Sequence, residues 1–347
     1  LWTALAKRES SPVDVLCLGD SITEGAYVST IEKRWVARLR DKLRAAFPTP
    51  GVVGGQGFIC ANYHTIGPGN PGSEVNQVMT QVGGSTDPGF TLGLGRRYRK
   101  FTTTGNVSAT VTCSSVDAIY TQGTSRGTLG LSIDGGAAAT VSTAGGLSAS
   151  KKFSSGALTP GSHTVTVSWQ SGGEVDVDGI MVYNGDETKG IRLWEGGHGG
   201  VKSDWFNGGF WQTGIKSIAP ALVIIELGVN DLHFNTGSDY PSSKITANIQ
   251  ATISAILAQC DVALLAYPSF LLLIPHQVAG SYVEPWSNYV NALWSVALED
   301  SGVAVLDMTA LLGTANTASG LFTSDLIHLN DVGGEFYANA IMGALAP

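Results

Sequence analysis

The stretch that decides the fold is Val13-Asp14-Val15-Leu16-Cys17-Leu18-Gly19-Asp20-Ser21-Ile22-Thr23-Glu24-Gly25. Its first half is a run of apolar and β-branched side chains with the length and composition of a strand buried on both faces. The run stops at Gly19, and Gly19-Asp20-Ser21 reads as the turn out of the strand. Beyond it Ile31, Trp35, Val36, Leu39 and Leu43 recur at helical spacing, with Lys33, Arg34, Arg38 and Lys42 largely on another face. A strand that feeds a helix through a tight polar turn is the repeating unit of a parallel α/β sheet, whose ligands bind beyond the carboxyl ends of the strands. Ser21 stands at such an end. The tripeptide alone fits a plain turn equally well, because Gly, Asp and Ser all favour turns, so the rest of the chain has to decide.

The same rhythm returns near residue 190. Ile191-Arg192-Leu193-Trp194 is a short strand running into Gly196-Gly197-His198-Gly199-Gly200, and Ala221 to Leu227 is the clearest buried strand, ending at Gly228-Val229-Asn230-Asp231. A helix over 242–259, a strand over 262–266, a helix over 285–300, a strand over 303–306 and a last helix over 332–345 complete the pattern. Five strands, each followed by a helix or crossover, predict a five-stranded parallel sheet with helices on both faces.

Between these parts the texture differs. Residues 51–97 carry many glycines and neither a period of 2 nor of 3.6, which predicts a long irregular segment wrapping the core and walling the site. From about 98 to 184 apolar and polar residues alternate, as at Val107, Ala109 and Val111 or Val165, Val167 and Trp169, with turn signals at Asp134-Gly135 and Pro160-Gly161. This predicts an inserted β-sandwich over 98–184, dividing the α/β domain into 1–97 and 185–347. The insert resembles the jelly-roll modules attached to carbohydrate-active enzymes, which implies a carbohydrate-binding role.

Composition narrows the partners. The net charge is -8 with 20 Lys and Arg, too few basic groups for a phosphate-binding surface, so nucleic acid is not expected as a partner. The one basic cluster, Arg96, Arg97, Arg99 and Lys100, reads as a solvated strand edge. The longest apolar run, 262–275, is interrupted by Tyr267-Pro268 and falls short of the roughly 20 residues of a membrane span. The start at Leu1, with no charged segment leading into an apolar core, is that of a mature or excised form. The 4 cysteines show no CxxC spacing, so no zinc site is expected, and Cys17 and Cys113 read as small buried hydrophobes with one disulfide left open.

Before the last helix stands Ser324-Asp325-Leu326-Ile327-His328. A serine hydrolase needs a base that takes the hydroxyl proton and a carboxylate that holds the imidazole in the right tautomer, and Asp325 and His328 on one loop suit both tasks. Gly19-Asp20-Ser21, Gly200, Gly228-Val229-Asn230-Asp231 and Asp325-x-x-His328 together resemble, in order, the four blocks of the SGNH hydrolases, also called GDSL-type esterases. The resemblance covers about 1–50 and 185–347 and implies a flavodoxin-like three-layer sandwich. Carried onto this chain it implies Ser21 as nucleophile, His328 as general base and Asp325 as its orienting partner. The Ser21 N–H, the Gly200 N–H and the Asn230 amide would form the oxyanion hole. Gly197 and Gly199 share the glycine cluster; Gly200 is chosen because a polar stretch and helix begin after it. The chain departs from a minimal member in the long stretch between Ser21 and Gly200.

Among the remaining polar residues Asp20 is expected to brace its turn through backbone N–H groups, His163 to be structural, and His198, His233 and Trp205 to be substrate contacts; His64 and His276 have no assigned place. No cofactor or metal is implied, although a metal phosphoesterase using Asp20, Asp231 and Asp325 is a weighed alternative with too few ligands. The leading expectation is a serine esterase that removes acetyl or other small acyl groups from a polysaccharide or cell-wall glycan, outside the cell or at its surface. The alternatives are a lipase or phospholipase with Phe270 to Ile274 as an acyl-binding lip, and an inactive glycan-binding or adhesion module.

Overall fold

The computed structural model describes residues 1–63, 78–84, 91–233, 241–280, 282, 284–299 and 302–345; His64, Pro68-Gly69, Pro71-Gly72 and Phe90 lie outside them. One sheet is five-stranded and wholly parallel, in the spatial order Gly190–Gly197, Pro12–Gly19, Leu222–Glu226, Ser269–Ile274, Val303–Asp307. The Pro12–Gly19 strand therefore has neighbours on both sides, and Val13 to Leu18 are almost wholly buried. Burying side chains such as Leu16 and Leu18 contributes about 1.5–3 kcal/mol each relative to exposure. The helices Trp35–Ala46, Ser242–Ala263, Trp286–Glu299 and Asp331–Leu345 supply the covering layers.

One expected strand is displaced. Residues 262–266 do not form it: the helix from Ser242 continues to Ala263, Leu264 closes it in a left-handed conformation, and the strand is Ser269–Ile274. A short apolar run has no period of its own to separate helix from strand, and Pro268 ends up just ahead of the strand. In consequence Phe270 to Ile274 are an inner strand, each buried, and not an exposed acyl-binding lip.

The intervening region forms two antiparallel sheets. Thr80–Val82, Asn106–Cys113, Gly161–Ser171, Thr128–Ile133 and Ala139–Ser142 make one; Gly57–Cys60, Val175–Tyr183, Ser115–Gln122 and Ser148–Ser154 make the other, with Arg99–Phe101 also on Val175–Tyr183. The alternation of Val107, Ala109 and Val111 is that of a strand buried on one face, and Asp134 and Gly135 take positive φ of 53° and 72°, as a tight hairpin turn requires. Gly57–Cys60 and Thr80–Val82 correct the expectation of an irregular 51–97 segment. These strands are too short for their alternation to register in sequence, and partners far along the chain define them. The apolar core is continuous across all three sheets, with Phe58 stacked on Trp194 at 5.5 Å. All four cysteines are free and buried, which answers the open disulfide.

Candidate active site

The parallel strand Pro12–Gly19 delivers the first site residue. Gly19 is needed there because a Cβ would lie 2.1 Å from Thr23 Oγ1 and 2.6 Å from the Glu226 carbonyl oxygen. Asp20 caps the short helix Ser21–Glu24 by accepting the Ile22 N–H at 2.9 Å, the bracing role expected for it. Ser21 opens that helix, 4% exposed.

The opposite wall is the loop before the last helix. Leu326 takes a positive φ of 57°, folding the loop tightly enough for Asp325 Oδ1 to accept the N–H groups of Ile327 and His328 at 2.9 and 3.0 Å and the Thr323 hydroxyl at 2.6 Å. Asp325 Oδ2 meets His328 Nδ1 at 2.7 Å, and His328 Nε2 meets Ser21 Oγ at 2.8 Å. Burial pushes the Asp325 carboxyl upward, but hydrogen bonds from His328, Thr323 and the loop amides outweigh it and hold the group below the usual carboxylate range. Hydroxyl, imidazole and carboxylate thus form one hydrogen-bonded chain.

Asn230 and the glycine cluster lie beside it. Asn230, 3% exposed, donates through Nδ2 to the Val201 carbonyl at 2.8 Å and to Asp20 Oδ2 at 3.3 Å. Asp231 accepts the Ser203 N–H and hydroxyl at 2.9 and 2.6 Å; burial raises it to about 6 against those bonds. Together Asn230 and Asp231 tie the third block to the segment after Gly200. Gly200 is exposed, with a φ of 76° and open space where a Cβ would stand.

Two carboxyls lie beside Ser21 and Thr23, Asp20 and Glu226, both fully buried. Burial raises both. The Ile22 N–H, His328 and the Glu226 carboxyl counter the rise at Asp20, whereas Asp20 adds to it at Glu226, so Glu226 is the partner that keeps the proton.

The expected substrate contacts differ in setting. His198 is 2% exposed, with Nδ1 against the Gly95 carbonyl at 2.8 Å and its ring 4.6 Å from Trp205. Trp205 is partly exposed and has the Arg96 guanidinium 4.0 Å from its ring centroid. His233 ends the helix Val229–His233, and its side chain lies outside the described ones. His163 bonds Asp134 and Thr159 at 2.7 and 2.8 Å, a structural arrangement as expected.

Other residues here had no site role assigned from sequence. His276, buried, links Tyr337 and the Ile327 carbonyl at 2.6 and 2.9 Å, bracing the loop that carries His328. Tyr27 packs on His328. Arg97 and Arg99 are 0% and 8% exposed, which corrects the reading of the basic cluster as a solvated edge: Arg97 pairs with Glu24 and Glu195 inside the protein. Only its distant acidic partners could have signalled this.

Residues 182–335 match the GDSL-like lipase/acylhydrolase family. The matched stretch holds Gly200, Asn230, Asp325 and His328 but begins after Ser21. No curated protein matches the chain. Among solved structures, one described as a peptidoglycan O-acetylesterase is 16% identical with a TM-score of 0.69, over 99% of this chain and 93% of that one; this is a likeness of fold, and it extends over the antiparallel sheets. A family two carbohydrate esterase from Clostridium thermocellum in complex with cellohexaose is 13% identical over 72% of this chain and 94% of that one, with a TM-score of 0.35. An acetyl xylan esterase, AlAXEase, is 21% identical over 46% and 84%, with a TM-score of 0.37.

Proposed function

We infer that this chain, a member of the GDSL-like lipase/acylhydrolase family, is a serine esterase that removes acetyl or other small acyl groups from a glycan. The observation that carries the reading is the unbroken chain from Ser21 Oγ through His328 to Asp325, at 2.8 and 2.7 Å. In this reading His328 Nε2 takes the Ser21 proton as Oγ attacks the ester carbonyl carbon, while Asp325 keeps the Nδ1 proton in place and stabilises the imidazolium. The carbonyl oxygen becomes an oxyanion, and the amides of Ser21 and Gly200 and the Asn230 side chain donate to it. They stabilise that charge more than the neutral ground state, without adding a cation that would perturb the imidazole. His328 then gives its proton to the departing sugar oxygen as the ester C–O bond breaks, and water, deprotonated by His328, attacks the acyl-serine, releasing the acid and restoring the Ser21 hydroxyl.

The acyl half of the reading is favoured by the burial of Phe270 to Ile274, which removes the segment that suggested a long-chain lipase. The glycan half is favoured by the partly exposed Trp205, by Phe210 at 50% exposure and by the peptidoglycan O-acetylesterase whose fold the chain shares. We assign the catalytic domain to 1–97 and 185–347, with the strands Gly57–Cys60 and Thr80–Val82 crossing from it onto the antiparallel sheets, and residues 98–184 to an accessory surface that binds the polymer. His198, His233 and Trp205 are retained as substrate contacts. A glycan substrate also assigns the chain to the cell exterior or surface; among the described residues no helix is long and apolar enough to cross a membrane.

The test is a screen of O-acetylated peptidoglycan and xylan against soluble esters of increasing acyl length, with the released acid measured directly. Release of acetate from a glycan, absent in Ser21→Ala, is the expected result. A preference that rises with acyl length, or turnover surviving in Ser21→Ala, overturns it.

A further inference from the structure

The buried charges around Arg97 have no part in the chemistry above. Glu24 comes from the Ser21–Glu24 helix, Arg34 from the start of the helix Trp35–Ala46, Glu195 from the edge strand of the parallel sheet, and Arg97 from the segment just before the strand Arg99–Phe101. Their side chains are 3%, 4%, 1% and 0% exposed. The Arg97 fork spans both acids, Nη1 to Glu24 Oε1 at 2.8 Å and Nη2 to Glu195 Oε2 at 3.0 Å, and Arg34 Nη1 reaches Glu195 Oε2 at 3.2 Å. The Tyr63 ring lies 5.3 and 5.0 Å from the two guanidinium carbons. Charge within the quartet sums to zero.

The remaining carboxylate oxygens turn to the glycine cluster. Glu195 Oε1 accepts the Gly197 N–H at 2.5 Å, the Gly19 carbonyl accepts the His198 N–H at 2.9 Å, and Glu24 Oε2 accepts the Gly199 N–H at 2.6 Å. Three successive amides are thereby fixed. The next, that of Gly200, is used by no hydrogen bond among the described residues. This arrangement selects Gly200 from the three candidate glycines, since the amides of Gly197 and Gly199 are already taken.

A buried ion cluster is a poor device for stability alone, because desolvation of each charge costs several kcal/mol and well-packed apolar groups often do as well. Apolar groups, however, could not accept two amide N–H bonds at fixed points. We propose that Arg97, Glu24 and Glu195 are positioning residues for the oxyanion donor: they clamp the Gly197–Gly199 backbone so that the Gly200 N–H is aimed at the carbonyl oxygen of an ester bound at Ser21. The proposal rests on the serine esterase reading and extends it to a cation supplied from outside the four blocks. Glu24 and Glu195 set the turn's amides, and Arg97, paired with both, holds the two acids in register.

Its test uses Arg97→Met, Arg97→Lys and Glu24→Gln in the full chain, with a small soluble acetate ester and a trifluoromethyl ketone that forms a tetrahedral adduct with the serine. A displaced donor weakens the transition state more than the ground state. Arg97→Met therefore lowers kcat by roughly 10- to 100-fold with KM within about 3-fold, and weakens the ketone by a similar factor. Arg97→Lys recovers part of the loss. A folded Arg97→Met protein with wild-type kcat and ketone affinity, even if it melts earlier, overturns the proposal. If Arg97→Met does not fold, Glu24→Gln decides: it keeps an oxygen for Gly199 but not the charge facing Arg97, and a roughly 3- to 10-fold fall in kcat is expected, whereas unchanged kcat and ketone affinity overturn the clamp. Fluorophosphonate labelling of wild-type Ser21 separates the two readings. No label there sinks the esterase reading, and a label with unaffected variants sinks the clamp alone.

Discussion

Tyr27 lays its ring against the imidazole of His328, with centroids 4.7 Å apart and planes inclined at 33°. It does so from a left-handed backbone, φ 69°, a conformation that costs a bulky residue roughly 1–3 kcal/mol. Tyr27 follows Gly25, whose φ of 83° ends the Ser21–Glu24 helix, and precedes the buried Val28. The contact fixes the plane of the ring that must reach Ser21 Oγ. Tyr27→Phe should keep kcat within about 2-fold, and Tyr27→Ala should lower it by roughly 10-fold by freeing the imidazole. Steady-state kinetics on a small ester checks this, and equal rates in both variants would remove Tyr27 from the site.

Asp325 makes four contacts within its own loop, and one of them sets the imidazole tautomer. In Asp325→Asn an amide N–H faces donors, so either the loop amides or the Nδ1 bond must be lost. The expected fall in kcat is on the order of 1,000- to 10,000-fold, with the circular dichroism spectrum unchanged. Activity within about 10-fold of wild type would mean that another group orients His328.

Asn230 already spends its amide on Val201 and, more weakly, on Asp20. If Asn230 donates to the oxyanion as proposed, the 3.3 Å bond to Asp20 is the one it would give up. Asn230→Ala should lower kcat by roughly 100- to 1,000-fold with little change in KM. A raised KM with intact kcat would identify Asn230 as a ground-state contact instead.

Burial lowers His276 to about 4, against the raising effect of its bond to the Ile327 carbonyl. On acidification the unfolded chain therefore takes up a proton at this residue near the ordinary histidine value, before the folded chain does. Its contribution is fully present above about 6.5 and is lost as pH falls towards the depressed folded value, to a total of roughly 3 kcal/mol. Thermal melts of wild type and His276→Gln between pH 7 and 4 should show a shallower loss in the variant. Parallel curves would mean that His276 takes up its proton as readily in the folded protein as in the unfolded chain.

Much of the fold is legible in local pattern because burial imposes it residue by residue. Val13 to Leu18 and Leu222 to Glu226 read as inner strands since an inner parallel strand needs apolar side chains on both faces, and Asp325-x-x-His328 places a carboxylate within reach of an imidazole along one short loop. Where several elements could satisfy the same local composition, the chain is silent. Residues 262–274 suit helix or strand equally, and only the pairing of Leu222 with Ser269 and of Phe270 with Val303 sets the register. Gly57–Cys60 is a strand because Val175–Tyr183 lies beside it.

The site divides along the same line. The residue types at Ser21, Asn230, Asp325 and His328 and their order are written in the chain, but the 2.8 Å contact between Ser21 and His328 joins positions 307 residues apart and exists only once the sheet has formed. Arg97 is the sharpest case. In sequence it is one of four neighbouring basic residues, and an unpaired charge belongs in water. The folded protein brings Glu24 and Glu195 to it from distant segments, and those partners, with the glycine amides that they hold, are what make its burial tolerable.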